Sequence, residues 1–144
     1  FNELLAVRVR RGDWDRPLVG DRMQLSGSRS HFLADVVNEE LRARVLNFDI
    51  DPSGPLWGAG AVLTSGEPAE LELAVSERFP SWIAGLAAAG MRQERRPLRL
   101  RAVGLRSHYE GDNLTIGFGL PAGAFATAFL RELVEHTEAA ADQR

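Results

Sequence analysis

The four residues Glu110-Gly111-Asp112-Asn113, set between strand-like runs at 105–109 and 114–120, constrain this chain more than any other feature. A glycine beside aspartate and asparagine supplies the backbone geometry of a tight reversal, so the two runs are expected to pair antiparallel. A second polar, glycine-containing turn, Ser26-Gly27-Ser28-Arg29, separates short strand candidates at 22–25 and 31–35. Helical periodicity fills the space around these hairpins. Phe1, Leu4, Leu5 and Val9 fall near one helical face that should end at Gly12. Asn38 is a good N-cap for a helix carrying Leu41, Val45, Leu46 and Phe48. Residues 67–79 read as a helix stopped by Pro80, and Ser81 can cap an alanine-rich helix ending at Gly90. Residues 49–65 turn to glycine and proline and are expected to form an ordered loop, with Leu56 and Trp57 seeking burial. Alternation over 96–101 predicts a half-buried strand, Leu98 and Leu100 on one face and Arg99 and Arg101 on the other. A last helix should start near Gly123 and carry Phe125, Phe129, Leu130, Leu133 and Val134. The expected fold class is mixed α/β (α+β), a largely antiparallel sheet with hairpins and packed helices.

Composition narrows the function classes. No apolar run approaches the roughly 20 residues a bilayer-spanning helix needs, and no basic start leads into an apolar secretion signal. With no cysteine, disulfides and thiolate metal sites are excluded. A cytoplasmic protein without a membrane partner is expected. All 17 basic residues are arginine. Phe1 falls inside a helical pattern with no cap before it, which predicts a fragment whose upstream part is missing. The net charge of −3 offers no global attraction for nucleic acid, but the charge is unevenly spread. Six arginines (92, 95, 96, 99, 101 and 106) cluster with one acid, Glu94, whereas Glu132, Glu135, Glu138 and Asp142 make the last helix acidic.

General chemical motifs are absent. His31, His108 and His136 are scattered without metal-ligand spacing, and no metal site is expected. Asp21 and Asp112 each follow a glycine and read as turn residues. The glycine-rich stretch at 54–60 lacks the lysine of a phosphate-binding loop. The arginine cluster has two readings, a solvated strand face or a track for RNA phosphates using the bidentate guanidinium fork. His108 and Tyr109 are candidates to stack on unpaired bases.

The segment Leu120-Pro121-Ala122-Gly123-Ala124-Phe125-Ala126-Thr127-Ala128-Phe129-Leu130-Arg131-Glu132-Leu133 resembles the C-terminal signature of TruD-type tRNA pseudouridine synthases, L-P-x-G-S-F-A-T-x-x-x-R-E-L. Further blocks resemble the same family in the same order. They are Phe1-Asn2, the hairpin from Gly20-Asp21-Arg22-Met23-Gln24-Leu25 through Gly27-Ser28, Ser30 and Phe32, then Gly54-Pro55-Leu56-Trp57-Gly58 with Gly60, and Arg95-Arg96-Pro97-Leu98. Ala124 departs from the family's serine at that place.

The resemblance implies an isomerase that converts uridine 13 of tRNA to pseudouridine without cofactor or metal. It implies a two-lobed fold, with residues 1–97 in the family's insertion lobe and 98–144 returning to the catalytic lobe. Phe125 then matches a substrate-contacting phenylalanine, and Gly123, Thr127 and Arg131 share its site. Arg92, Arg95, Arg96, Arg99 and Arg101 are the candidates for RNA-backbone contact. The family's nucleophilic aspartate sits in a Gly-x-Lys-Asp motif, which a chain without lysine does not contain. No catalytic residue is therefore expected here, the fragment alone should be inactive, and its partners should be tRNA and the missing N-terminal part of the same monomeric enzyme. The alternatives are a non-catalytic RNA-binding or interaction domain and a small ligand-binding domain unrelated to RNA.

Overall fold

The computed structural model describes residues 1–134. The expectations placed on Glu135, His136, Glu138 and Asp142 lie outside the described residues. The chain divides into two compact units, Phe1–Arg99 and Leu100–Arg144.

The first unit runs α1 (Asn2–Arg11), β1 (Arg22–Leu25), β2 (His31–Leu33), α2 (Glu39–Leu46), β3 (Ile50–Leu56), α3 (Gly66–Ser76), α4 (Pro80–Ala88) and β4 (Glu94–Pro97). Its sheet has the order β2-β1-β3-β4, antiparallel throughout. Local signals behave as the sequence predicts. Gly12 ends α1 in the left-handed conformation at φ 71°. The Asn38 side chain accepts from the Leu41 N–H at 2.9 Å and starts α2. Leu41 and Val45, one turn apart, then meet Met23, Ala34 and Ile50 in a core flanked by Leu25, Phe32 and Val37. Complete burial of Met23 and Ile50 stabilises the unit by about 1.5–3 kcal/mol each.

Residues 50–56 are a strand, not the expected loop. Pro52 and Pro55 argue against a central strand because each lacks an N–H. The structure resolves the conflict by stagger. Ile50, Asp51 and Pro52 pair with β1, whereas Ser53 to Leu56 pair with β4, so each half of β3 keeps one main ladder. At the changeover the Ser53 hydroxyl donates to the Arg22 carbonyl at 2.6 Å, and the Pro52 carbonyl accepts from the Leu98 N–H at 2.8 Å. Gly54 allows close packing there: a Cβ would lie 3.1–3.2 Å from the side chains of Leu98, Leu4 and Phe1, which would have to give way slightly. Trp57 is half-buried and Leu56 is exposed.

Three further boundaries shift. α3 ends at Ser76, before Pro80. Pro80 occupies the first turn of α4, with Phe79 rather than Ser81 at the N-cap, because a proline at that position loses no helical hydrogen bond. β4 stops at Pro97, so the strand expected over 96–101 does not form: Leu98 is buried, but Leu100 is exposed.

A polar anchor holds α1 to the start of β1. Arg8, 2% exposed, donates to both Asp21 oxygens at 2.9 and 3.1 Å, to Asp13 Oδ1 at 2.7 Å, and to the Asp13 and Arg16 carbonyls. Burial pulls the guanidinium pKa down, but Asp21 and Asp13 outweigh it and raise it overall. Gly20, beside this anchor, sits at φ 94° and bonds to both Ala34 and Ser65. A Cβ there would fall 2.1 Å from the Ser65 carbonyl oxygen, so only glycine fits.

The second unit is built on β5 (Val103–Glu110), β6 (Asn113–Gly119) and α5 (Ala126–Arg131). Glu110 pairs with Asn113 across the two residues Gly111 and Asp112. Gly111 alone of these has positive φ, at 59°, the type II′ arrangement that suits a twisted hairpin.

Candidate functional site

The segment singled out by sequence folds as a turn feeding a short helix. The Ala124 N–H donates to the Pro121 carbonyl at 3.1 Å, closing a four-residue turn. Gly123 is its third residue, at φ 85°, a position that side-chain-bearing residues rarely adopt. The chain leaves this turn extended, and Phe125 becomes the N-cap of α5 at φ −100°, ψ 117°. Its carbonyl accepts from the Ala128 and Phe129 N–H groups, while its ring is 69% exposed. Phe125 is thus presented outward by its own unit. The aromatic that turns inward is Phe129, whose ring meets Phe118 at 4.6 Å and 57°.

Beneath α5 lies an open pocket of about 460 Å³, lined by Leu114, Ile116, Thr127, Leu130 and Val134. Leu114 and Ile116 are alternate residues of β6, Thr127 and Leu130 share a face of α5, and Val134 follows the helix, so a strand face, a helix face and the residue after it form its walls. Among the expected site residues, Thr127 reaches this pocket. Arg131, in the last turn of α5, stands four residues past Thr127, so helical geometry stacks it above Thr127 rather than beside Phe125. The lining residues Leu114 and Ile116 were not singled out by sequence, although their alternation was the available signal. On the same hairpin His108 lies opposite Thr115, and Tyr109, 69% exposed, lies opposite Leu114.

The arginine cluster is not one outer face, and two of its members are corrected. Arg95 is buried: Nη1 donates to Glu72 at 2.8 Å, Nε to the Ser53 hydroxyl at 3.2 Å, and Nη2 to the Ser53 carbonyl. Both partners of the Arg95–Glu72 pair have side chains 1% exposed. Arg99 pairs with Asp51, donates to the Val45 carbonyl, and covers the Phe48 ring at 4.2 Å. Arg95 and Arg99 therefore hold the fold instead of facing solvent. Their partners lie 23 and 48 residues away, too far for local pattern to reveal. Arg96 is half-buried over the Phe1 ring at 5.3 Å, while Arg92 and Arg101 are exposed. Arg92 follows Met91 at a crossing where the Ala59 N–H donates to the Met91 carbonyl at 2.7 Å.

Burial sets the titration of the inner pair. It raises the Glu72 carboxyl above its usual range, opposed by Arg95, and lowers the Arg95 guanidinium, opposed by Glu72. The second Glu72 oxygen has no hydrogen bond, although the Thr64 hydroxyl is near enough to favour its charge. His31 is held below the ordinary histidine value by burial, with Arg22 and Arg95 adding to the effect. No described group of three or more His, Asp or Glu residues is arranged to hold a metal ion. No described helix is long and apolar enough to cross a membrane. Asp21, as deeply buried as Glu72, has both oxygens engaged by Arg8, which makes it a structural anchor.

A hairpin with a glycine turn and an outward phenylalanine, joined in sequence to an antiparallel sheet with an inserted helix pair, makes this a mixed α+β protein. The family model for tRNA pseudouridine synthase D (TruD) matches residues 1–133, and the chain belongs to that family. Its relatives include tRNA pseudouridine synthase D of Xanthomonas campestris, 46% identical over 97% of this chain. The Pseudomonas putida protein of the same name is 48% identical over 94% of this chain. The chain spans 39% and 38% of the lengths of these two relatives. The crystal structure of a Methanosarcina mazei protein described as tRNA pseudouridine synthase D shares the fold, with a TM-score of 0.68 over 92% of this chain and 35% of its own, at 21% identity.

Proposed function

We propose that this chain is part of an enzyme that isomerises uridine 13 of tRNA to pseudouridine, acting in the cytoplasm as a monomer. The family membership of residues 1–133 carries this reading. In it, residues up to about Pro97 belong to an insertion lobe, and those from about Leu98 return to the catalytic lobe. Phe125 is the platform for a uridine lifted out of the RNA stack. Its exposure at the head of α5 supports that role, because a ring packed in its own core has no free face. Gly123 sets the turn that aims the ring. Thr127 lines the adjoining pocket, and Arg131 supplies positive charge one helical turn above it. Arg92, Arg96 and Arg101 are the backbone contacts retained from the arginine cluster.

The reaction breaks the bond from the ribose to uracil N1, turns the base and joins the ribose to C5, releasing the C5 proton. The attacking aspartate comes from the remainder of the enzyme, and no cofactor takes part. The test uses tRNA carrying tritium at uridine C5. A protein comprising this chain and the upstream part of its family should release tritium to water, and the 144-residue chain alone should release none. Binding of tRNA by the longer protein without tritium release would reject the synthase and favour a non-catalytic RNA-binding module.

A further inference from the structure

α4 is the least buried helix of the first unit. None of its residues is buried, and Trp82 is 76% exposed, with Leu86 one turn on at 38%. Ile83 and Ala87, also one turn apart, are its half-buried side. Between Glu77 and Glu94 the sequence holds two arginines, Arg78 and Arg92, and no acid, within a chain of net charge −3. Aromatic rings gather at the helix start. Phe79 and Trp82 stand 6.2 Å apart at 54°, and the Arg78 guanidinium lies 5.5 Å from the Phe79 centroid.

We propose that the Arg78–Phe79–Trp82 cluster is an accessory RNA contact, in which Trp82 stacks on an unpaired nucleotide of the tRNA and Arg78 meets its phosphate. The inference rests on the synthase reading above and adds a contact outside the Phe125 segment. The chemistry favours RNA as the occupant: exposed aromatic faces lie beside a guanidinium, and α4 itself carries no carboxylate to repel a phosphate backbone, although Glu77 and Glu3 flank Arg78. Arg78 now pairs with Glu3 at 2.9 Å, but both side chains are about half exposed, so the pair is weak and exchangeable for a phosphate. Apart from Pro80 and Ser81 at its start, the remaining exposed residues of the helix are Ala84, Gly85 and Ala88, a shallow relief that suits a planar base better than interlocking side chains.

The test compares the complete synthase with its Trp82→Ala and Trp82→Phe variants, using purified tRNA. Exposure of Trp82 should leave the melting temperature unchanged. A base–aromatic stack of about 1 kcal/mol or more corresponds to roughly fivefold or more in affinity. Trp82→Ala should therefore weaken tRNA binding in filter assays and raise KM by about that factor at constant kcat, and Trp82→Phe should recover most of it. Unchanged affinity and KM in Trp82→Ala would overturn the proposal while leaving the synthase reading intact. Loss of a wild-type dimer on sedimentation of Trp82→Ala, with tRNA affinity unchanged, would overturn it in favour of self-association. Because binding is read separately from tritium release, failure of the catalytic reading would not be mistaken for failure of this one.

Discussion

Replacing Arg95 by methionine distinguishes a structural arginine from an RNA-binding one. Arg95 and Glu72 are both 1% exposed at the side chain and 2.8 Å apart, and the Ser53 hydroxyl and carbonyl take two further Arg95 donors. Arg95→Met leaves the Glu72 carboxylate buried without its counter-charge and Ser53 without its donors. Removing one partner of a buried pair costs about 3–5 kcal/mol, a large share of the roughly 5–15 kcal/mol that holds a typical domain. Urea unfolding followed by tryptophan fluorescence should show that loss. Adding Glu72→Leu to Arg95→Met should restore most of the stability, because the desolvation penalty that raises Glu72 and lowers Arg95 disappears with both charges. In the complete synthase at a temperature where the variant stays folded, the slope of log affinity against log salt should not change for Arg95→Met. For Arg92→Ala it should flatten by about 1. A cost below about 1 kcal/mol for Arg95→Met, or a double variant no more stable than the single one, would refute the reasoning.

Phe125→Ala should lower kcat/KM on tRNA by about fivefold to a hundredfold, the range of a lost base stack, with little change in melting temperature, since the ring is 69% exposed. Gly20→Ala should destabilise the first unit by at least about 2 kcal/mol in thermal unfolding, because positive φ and a 2.1 Å approach to the Ser65 carbonyl act together. Asn38→Ala should cost about 1 kcal/mol in the same assay. His31 titrates in the sense of a depressed base: its stabilising effect is full above about pH 6.5, the unfolded value, and is lost as acid protonates it beside Arg22 and Arg95. Stability measured across that range should therefore fall toward acid, and His31→Gln should flatten the fall.

What could be read from the sequence was local. Gly12, Asn38 and Gly111 each act within four residues of themselves, so cap and turn rules found them. The Gly123 turn was equally accessible, and its type follows from glycine at the third position. The β3 strand was hidden because Pro52 and Pro55 carry a strong local signal that the staggered pairing overrides. The arginine cluster was misread for the complementary reason. The sequence alternates over 96–101, but the strand ends at Pro97, and Glu72 and Asp51, arriving from distant elements, hold Arg95 and Arg99 inward. Of the candidate site, Phe125 and Gly123 were legible from the resemblance, whereas the pocket walls required the hairpin and α5 to be placed together.

The crossing of Ala59 over Met91, Arg92 and Gln93 has a consequence for how this family can vary. The Ala59 N–H and carbonyl are both engaged there, at 2.7 and 3.1 Å, and Gly58 permits the approach because a Cβ would lie 2.5 Å from the Met91 carbonyl. This knot ties off a helical excursion between two strands that are neighbours in the sheet. The cost of closing such a loop rises by only about 0.6 kcal/mol per doubling of length. The excursion is unequal inside: α3 is pinned to β4 through Glu72, whereas α4 has no buried residue to hold it. Changes in the length of α4 should therefore leave the register of the sheet below it intact, because the crossing and the Glu72 contact close the excursion without it.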